Sequence, residues 1–460
     1  MADNNTNLPK PPKLINSIGP SFILLGLALG SGELIMWPYL SAVWGLGLMW
    51  GAFLGITFQY ILNREVMRYA LATGESIFVG LRKLVPWIPV WFIFSTFIPW
   101  SLPGFSSASS QIFSNIFNLG NEKILGIIFL LITGITLTAG KTLYKTMEYL
   151  QKTIIIVGLP LIVLLVILVT NKTDWIELGM GLVGKGNGWW FFPPGVALAS
   201  FLGAFAYSGA GGNLNLSQSY YIKEKGFGMG RFTEKITSIL SPGKKEFRLE
   251  GSTFPDTPEN YSLWKRWWFV VTTEHFLVFW MIGLITIILL SILAKSLVFG
   301  EASVSGIDFL YQQSSALSSQ TNGIFGLAFL IVAAVMLFST QIGVLESSSR
   351  IISENILLAF VKPGSLTNPS LAFYIALWGQ IIVGVVVLML GYQEPRFLLT
   401  LSAVLNAFAM MIAFPLVFFL NQKTLGGKYQ ASLPVKILFA LSFLFFVYFM
   451  GITLRSQFVG

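Results

Sequence analysis

The sequence predicts an all-α integral membrane protein, and three observations carry that prediction. Of its 460 residues, 54% are apolar and 11% charged, whereas soluble globular chains carry about 25% charged residues. Eleven separate runs are long and apolar enough to cross a bilayer as helices, at about 20 residues per crossing. Lys and Arg concentrate in alternate connections between those runs, the bias that leaves basic loops in the cytoplasm.

In chain order the eleven runs fall near residues 17–41, 44–67, 86–117, 124–139, 153–170, 194–221, 269–293, 324–348, 371–390, 398–420 and 434–454. Together they are expected to make one transmembrane domain over 1–460, with a first half at about 17–170, a second at about 194–420 and an extra helix at about 434–454. The polar, Pro-rich start and the length of the first apolar run argue against a cleavable signal peptide. Eleven crossings from a cytoplasmic N-terminus place the C-terminus outside the cell, and the plasma membrane is the expected location. The one sizeable polar segment is a cytoplasmic loop at about 223–266. Its Gly226-Phe227-Gly228-Met229-Gly230 spacing lacks the strand–helix context and the Lys-Ser/Thr of a phosphate-binding loop. It reads as a solvated linker with a short amphipathic segment around 232–240.

Composition also narrows the chemistry. With no cysteine, disulfides, thiolate metal sites and a cysteine nucleophile are excluded. One histidine, His275, argues against a His-based metal site or a Ser-His-Asp triad, and no acid–base pair suggests an enzyme. No cofactor and no resident metal site are expected. The net charge of +9 is a topology signal with a secondary attraction to anionic lipid, so membrane lipids are expected partners and nucleic acid is not.

Two runs stand out. The first carries Glu33 at its centre, inside Gly30-Ser31-Gly32-Glu33. An acid at bilayer depth costs about 2.5–3.5 kcal/mol on insertion scales and persists where it meets water, a partner or a substrate. The sixth run carries Tyr207-Ser208-Gly209-Ala210-Gly211-Gly212-Asn213 at its centre. Glycines loosen a helix, and Asn is a strong N-cap. Both runs are therefore expected to break midway. Because they lie five spans apart, the pattern matches an inverted five-plus-five repeat, the leucine-transporter type, with a substrate site between broken helices 1 and 6. The expected substrate-binding residues are Gly30, Ser31, Gly32, Glu33, Ser208, Gly209, Ala210, Gly211, Gly212 and Asn213, with Glu33 as the coupling residue. Half-helix starts suit anions and half-helix ends suit cations, so the breaks alone leave the sign of the substrate open. Elsewhere, Glu274 and His275 read as an interfacial pair at the headgroups, and Glu346 with Arg350, four residues on, as a structural ion pair.

Short motifs carry a resemblance along the same path. Gly19-Pro20 ahead of the first break, Thr73-Gly74, Tyr144 with Glu148, Asn213-Leu214-x-Leu216-x-x-Ser219 and Leu401-Ser402-x-Val404 occur in an order similar to that of the Nramp (natural resistance-associated macrophage protein) family of metal transporters. The chain resembles a divergent branch of that family. The resemblance implies eleven spans and secondary active transport. The departures bear on the substrate. Where metal-transporting members have Asp-Pro-Gly-Asn, this chain has Gly30-Ser31-Gly32-Glu33. Their helix-6 Met-Pro-His is replaced by Ala210-Gly211-Gly212, and a glutamine of span 10 by Ala403. The third run has hydroxyls in place of the family's acids, among them Ser95, Thr96 and Ser101.

Three functions remain open. A small oxyanion such as bicarbonate, coupled to a proton or cation, is slightly favoured because the transition-metal ligands are absent. A hard divalent cation, partly hydrated Mg²⁺ ahead of manganese or iron, is the alternative. A non-transporting membrane scaffold ranks last, since it leaves Glu33 and the paired glycine runs unexplained.

Overall fold

In lipid, apolar runs of this length satisfy their backbone only by forming helices. A computed structural model describes residues 6–14, 17–139, 143–234, 248–300 and 306–458. Among them, ten helices are long and apolar enough to cross a membrane. Numbered by the runs they realise, these are spans 1 (Pro20–Trp44), 2 (Leu46–Thr73), 3 (Ile88–Phe117), 4 (Glu122–Ala139) and 5 (Tyr144–Val169). Spans 7 (Pro258–Val298), 8 (Gly323–Phe360), 9 (Pro369–Met389), 10 (Pro395–Thr424) and 11 (Leu433–Arg455) follow.

The run at 194–221 is built differently from a single crossing. It forms two short helices, Leu198–Ala206 and Gln218–Lys225, joined by an irregular stretch and a 3-10 turn, Gly212–Ser217. Gly211 and Gly212 hold φ at 79° and 53°, a backbone region that costs glycine little and other residues more. Those two positions keep the stretch ahead of the 3-10 turn out of helical geometry.

Span 7 starts well before the expected 269, because Thr257 caps its first turn through the Asn260 N–H and Pro258 opens it. Part of the expected loop is therefore helix. The amphipathic segment proposed around 232–240 lies largely outside the described residues. Short helices at Ile77–Leu84 and Lys172–Gly181 are capped by Ser76 and by a reciprocal Asn171–Asp174 box. Lys295 of span 7 pins the latter helix through Asp174 at 2.8 Å and Glu177 at 2.6 Å.

Span 8 is the central post. At 38 residues it is about 57 Å long and overreaches a hydrocarbon layer of about 30 Å. It packs along spans 3 and 9 and against the middle of span 1. Span 7 lies along the second half of span 1, and span 10 along Leu198–Ala206. Spans 1, 8 and the split segment thus converge at the centre.

Candidate functional site

Span 1 widens where an interruption was expected. Leu29–Met36 is a π-helical segment between two α-helical stretches, and the Trp37 N–H closes onto the Gly32 oxygen, five residues back. A π turn inside an α-helix marks a functional position more often than a plain stretch does. Gly32 has no space for a side chain, since a Cβ would overlap the Tyr207 carbonyl of the split segment. Gly30 faces span 8, where a Cβ would lie 2.7 Å from the Thr340 hydroxyl oxygen. Trp37 donates its indole N–H to Ser208 Oγ at 2.9 Å. Span 1 and the split segment therefore meet backbone to backbone.

The irregular stretch would leave helix-end carbonyls and N–H groups buried and unpaired. Gln59 of span 2 supplies partners for both sides of the gap. Its Nε2 donates to the carbonyls of Ala206 at 3.1 Å and Phe205 at 3.4 Å. Its Oε1 accepts the Gly211 N–H and Asn215 Nδ2, each at 3.0 Å. On the opposite side, Tyr207 Oη bonds Ser402 Oγ of span 10 at 2.6 Å, and Asn406 Nδ2 donates to Tyr207 Oη at 3.2 Å. Asn213 Nδ2 donates to Ser95 Oγ and Thr96 Oγ1 of span 3, at 2.8 and 2.9 Å.

Glu33 occupies the neighbouring face of span 1. It is fully buried, and neither carboxylate oxygen has a hydrogen-bond partner. A Cβ on Gly283 of span 7 would lie 3.5 Å from Glu33 Oε1, with Ile56 of span 2 alongside. One turn away on those same two spans, Phe279 and Gln59 both meet Gly209 of the split segment. The carboxylate thus sits about one helical turn, roughly 5 Å, from the gap. Further oxygens of the split segment and span 10 lack donors: Asn213 Oδ1, Asn215 Oδ1 and Asn406 Oδ1.

A second polar layer lies beyond the first halves of spans 1 and 7. Glu274 is buried and accepts the Gly19 and Ser21 N–H groups at 3.1 and 3.2 Å, and the Ser21 hydroxyl at 2.5 Å. Ser21 Oγ also lies 2.8 Å from His275 Nδ1. This replaces the expected headgroup anchor: the acid caps the start of span 1 from inside, accepting N–H groups that the first turn leaves free. The expected Glu346–Arg350 pair is present and enlarged. Arg350 is fully buried and also pairs with Glu224 of the split segment. Among the described residues, no group of three or more His, Asp or Glu could hold a metal ion.

No family model and no curated protein sequence matches the chain. Solved structures do match. The manganese transporter of Eremococcus coleocola superposes with a TM-score of 0.72 at 14% identity, over 99% of this chain and 91% of that one. Mhp1, a nucleobase-cation-symport-1 family transporter in a closed conformation with bromovinylhydantoin bound, gives 0.57 at 13% identity, over 99% and 96%. The fold is shared. It is an all-helical, multi-pass membrane architecture of the leucine-transporter type, and a manganese transporter among its structural neighbours accords with the Nramp-like motifs.

The expected site residues divide accordingly. Gly32 and Ser208 lie where span 1 meets the split segment, whereas Gly209 faces Gln59 and Phe279 of spans 2 and 7, Gly212 faces Asn406 of span 10, Asn213 bonds span 3, and Ala210 and Gly211 are buried within the split segment. Glu33 and Gly30 lie on adjoining faces, toward spans 7 and 8. Ser31 belongs to the π segment, and its side chain is outside the described residues. The sequence assigns no role to Gln59, Trp37 or Asn406, and Ser402 enters it only through the Leu401-Ser402-x-Val404 motif. Gln59 and Asn406 each carry an amide inside a long apolar run, and that was the available signal.

Proposed function

We propose that the chain is a secondary transporter that carries a small cation by alternating access, with its site between the π segment of span 1 and residues 207–217. The observation that carries this reading is Glu33, a buried carboxylate without a partner, about one turn from a helix gap inside a membrane protein. Such a group is expensive in a bilayer and persists where its charge is used. Gaps of this kind line transporter sites. The fold's neighbours support it, one a manganese transporter and the other a nucleobase-cation-symport-1 family transporter.

The choice of cation follows from the donor and acceptor balance. Glu33 and three amide oxygens lack donors, whereas an oxyanion needs convergent N–H groups. The N–H groups of residues 32–34 run along the π segment, and that of Gly211 is taken by Gln59. Bicarbonate, slightly favoured on sequence grounds, therefore loses its expected cradle. One carboxylate with neutral oxygens suits a proton, a monovalent cation or a partly hydrated Mg²⁺. Binding neutralises Glu33 and removes the penalty of burying it, which favours the closed state and couples ion to conformation. In this scheme residues 17–170 and 194–420 are inverted repeats, the split segment is an eleventh crossing, and the N-terminus is cytoplasmic in a plasma membrane.

Proteoliposomes test it. We expect saturable uptake of Mg²⁺, Mn²⁺, Na⁺ or protons that is lost in Glu33→Gln. Labelled bicarbonate uptake lost in Glu33→Ala, without any Glu33-dependent cation flux, would reject the cation assignment in favour of the oxyanion.

A further inference from the structure

A cavity of about 270 Å³ opens where the ends of spans 2, 7 and 11 meet, remote from Glu33. Arg64 and Arg68 of span 2, Lys265 of span 7 and Lys428 line it with Trp264 and Trp268. Two of these cations have acidic partners: Arg68 bonds Glu65 at 3.0 Å, and Lys428 pairs with Asp256. Among the described residues Arg64 has neither ion pair nor acceptor for its buried Nε; its guanidinium lies 5.5 Å from the Trp268 ring and 5.7 Å from that of Tyr60. Arg68 lies over Trp268 as well, at 3.9 Å. Two guanidinium groups therefore share one indole, and the cavity keeps positive charge in excess. An anion placed there relieves the repulsion and supplies the acceptor that Arg64 Nε lacks.

We infer that this cavity holds the phosphate of an anionic phospholipid. Inorganic phosphate offers the same oxygens, but the surroundings distinguish the two sources. Trp264 and Trp268 stack at 6.0 Å at the start of a membrane span, the depth at which indoles favour the headgroup layer. Beside the cavity, Phe269, four residues along span 7 from the lining Lys265, and Leu433, next to the lining Ser432, are 65% and 69% exposed, an apolar track on which acyl chains can lie. A phosphate between the basic residues places its chains on that track. The site lies on the face that the Lys and Arg bias assigns to the cytoplasm, where anionic lipid is abundant.

Native mass spectrometry of the purified full chain, incubated with equimolar phosphatidylglycerol and phosphatidylcholine, tests the assignment. Wild-type protein should retain phosphatidylglycerol preferentially. Arg64→Gln and Lys265→Gln should each weaken that retention roughly fivefold, the worth of one basic residue at a membrane surface. Arg64→Lys should keep most of it, and Lys362→Gln, an exposed cation elsewhere, should change nothing. Should Arg64→Gln fail to fold, exposed Lys265 carries the test. Equal retention of the two lipids, or unchanged retention in both Gln variants, overturns the site. If inorganic phosphate in lipid-free detergent raises the melting temperature through Arg64 as much as phosphatidylglycerol does, the pocket takes free phosphate and the lipid assignment falls.

Discussion

Gln59→Leu should open the centre of this protein more than any other neutral substitution. The side chain is fully buried and spans the gap in the split segment. Its loss is not uniform across its partners. Asn215 Nδ2 keeps the Gly212 carbonyl at 3.2 Å, and the Phe205 carbonyl keeps the Ser208 N–H at 3.3 Å. The Gly211 N–H and the Ala206 carbonyl lose the partners that Gln59 provides. A buried polar group left unpaired costs about 1–3 kcal/mol, so two such groups give roughly 2–6 kcal/mol. The apparent melting temperature in detergent should fall by several degrees, and Glu33-dependent uptake should fall with it. Asn215→Ala should couple to Gln59→Leu by about 1 kcal/mol, because the two amides share one hydrogen bond. A Gln59→Leu protein that melts with the wild type and transports normally would refute the bridging role.

Other substitutions separate stability from transport. Glu33→Gln removes an unpartnered buried acid, so thermal stability should hold or rise by about 1 kcal/mol while uptake is lost. Gly32→Ala places a methyl against the Tyr207 carbonyl, forcing the two segments apart; a cost of about 1–3 kcal/mol should accompany loss of transport. Arg350→Met strands Glu346 and Glu224 and should cost about 3–5 kcal/mol, most of it recovered when both acids are also changed to Gln. On the loop, Lys428 and Tyr429 donate to Asp256 and hold its carboxyl below the usual carboxylate range. That stabilisation is complete above the unfolded value of about 3.9 and is lost as pH falls through the lower folded value. Melting curves between pH 5 and 3 should show this loss in wild type and a shallower one in Asp256→Asn.

The architecture was largely readable because membrane crossings are written as long apolar runs, and ten of those expected are helices here. The split at 207–212 was readable for a local reason: glycine density breaks a helix wherever the neighbours allow it. Span 1 has glycines too, yet only widens. Whether a loosened stretch unwinds or gains a π turn depends on what packs against it, here the Tyr207 carbonyl beside Gly32, and no local pattern encodes that. Gln59 escaped attention because its role depends on a partner some 150 positions away. The headgroup reading of Glu274 fails for the same reason, its carboxylate meeting Gly19 and Ser21 across more than 250 residues.

Spans 1 and 7 both carry π segments, Leu29–Met36 and Phe276–Ile282, with Glu33 and Gly283 at their contact. A π turn holds a surplus residue relative to an α turn. Moving that surplus one place along the chain turns the residue it passes by about 100° while the helix ends stay fixed. The carboxylate can thereby change which neighbour it faces through a ratchet of register, without melting either rod.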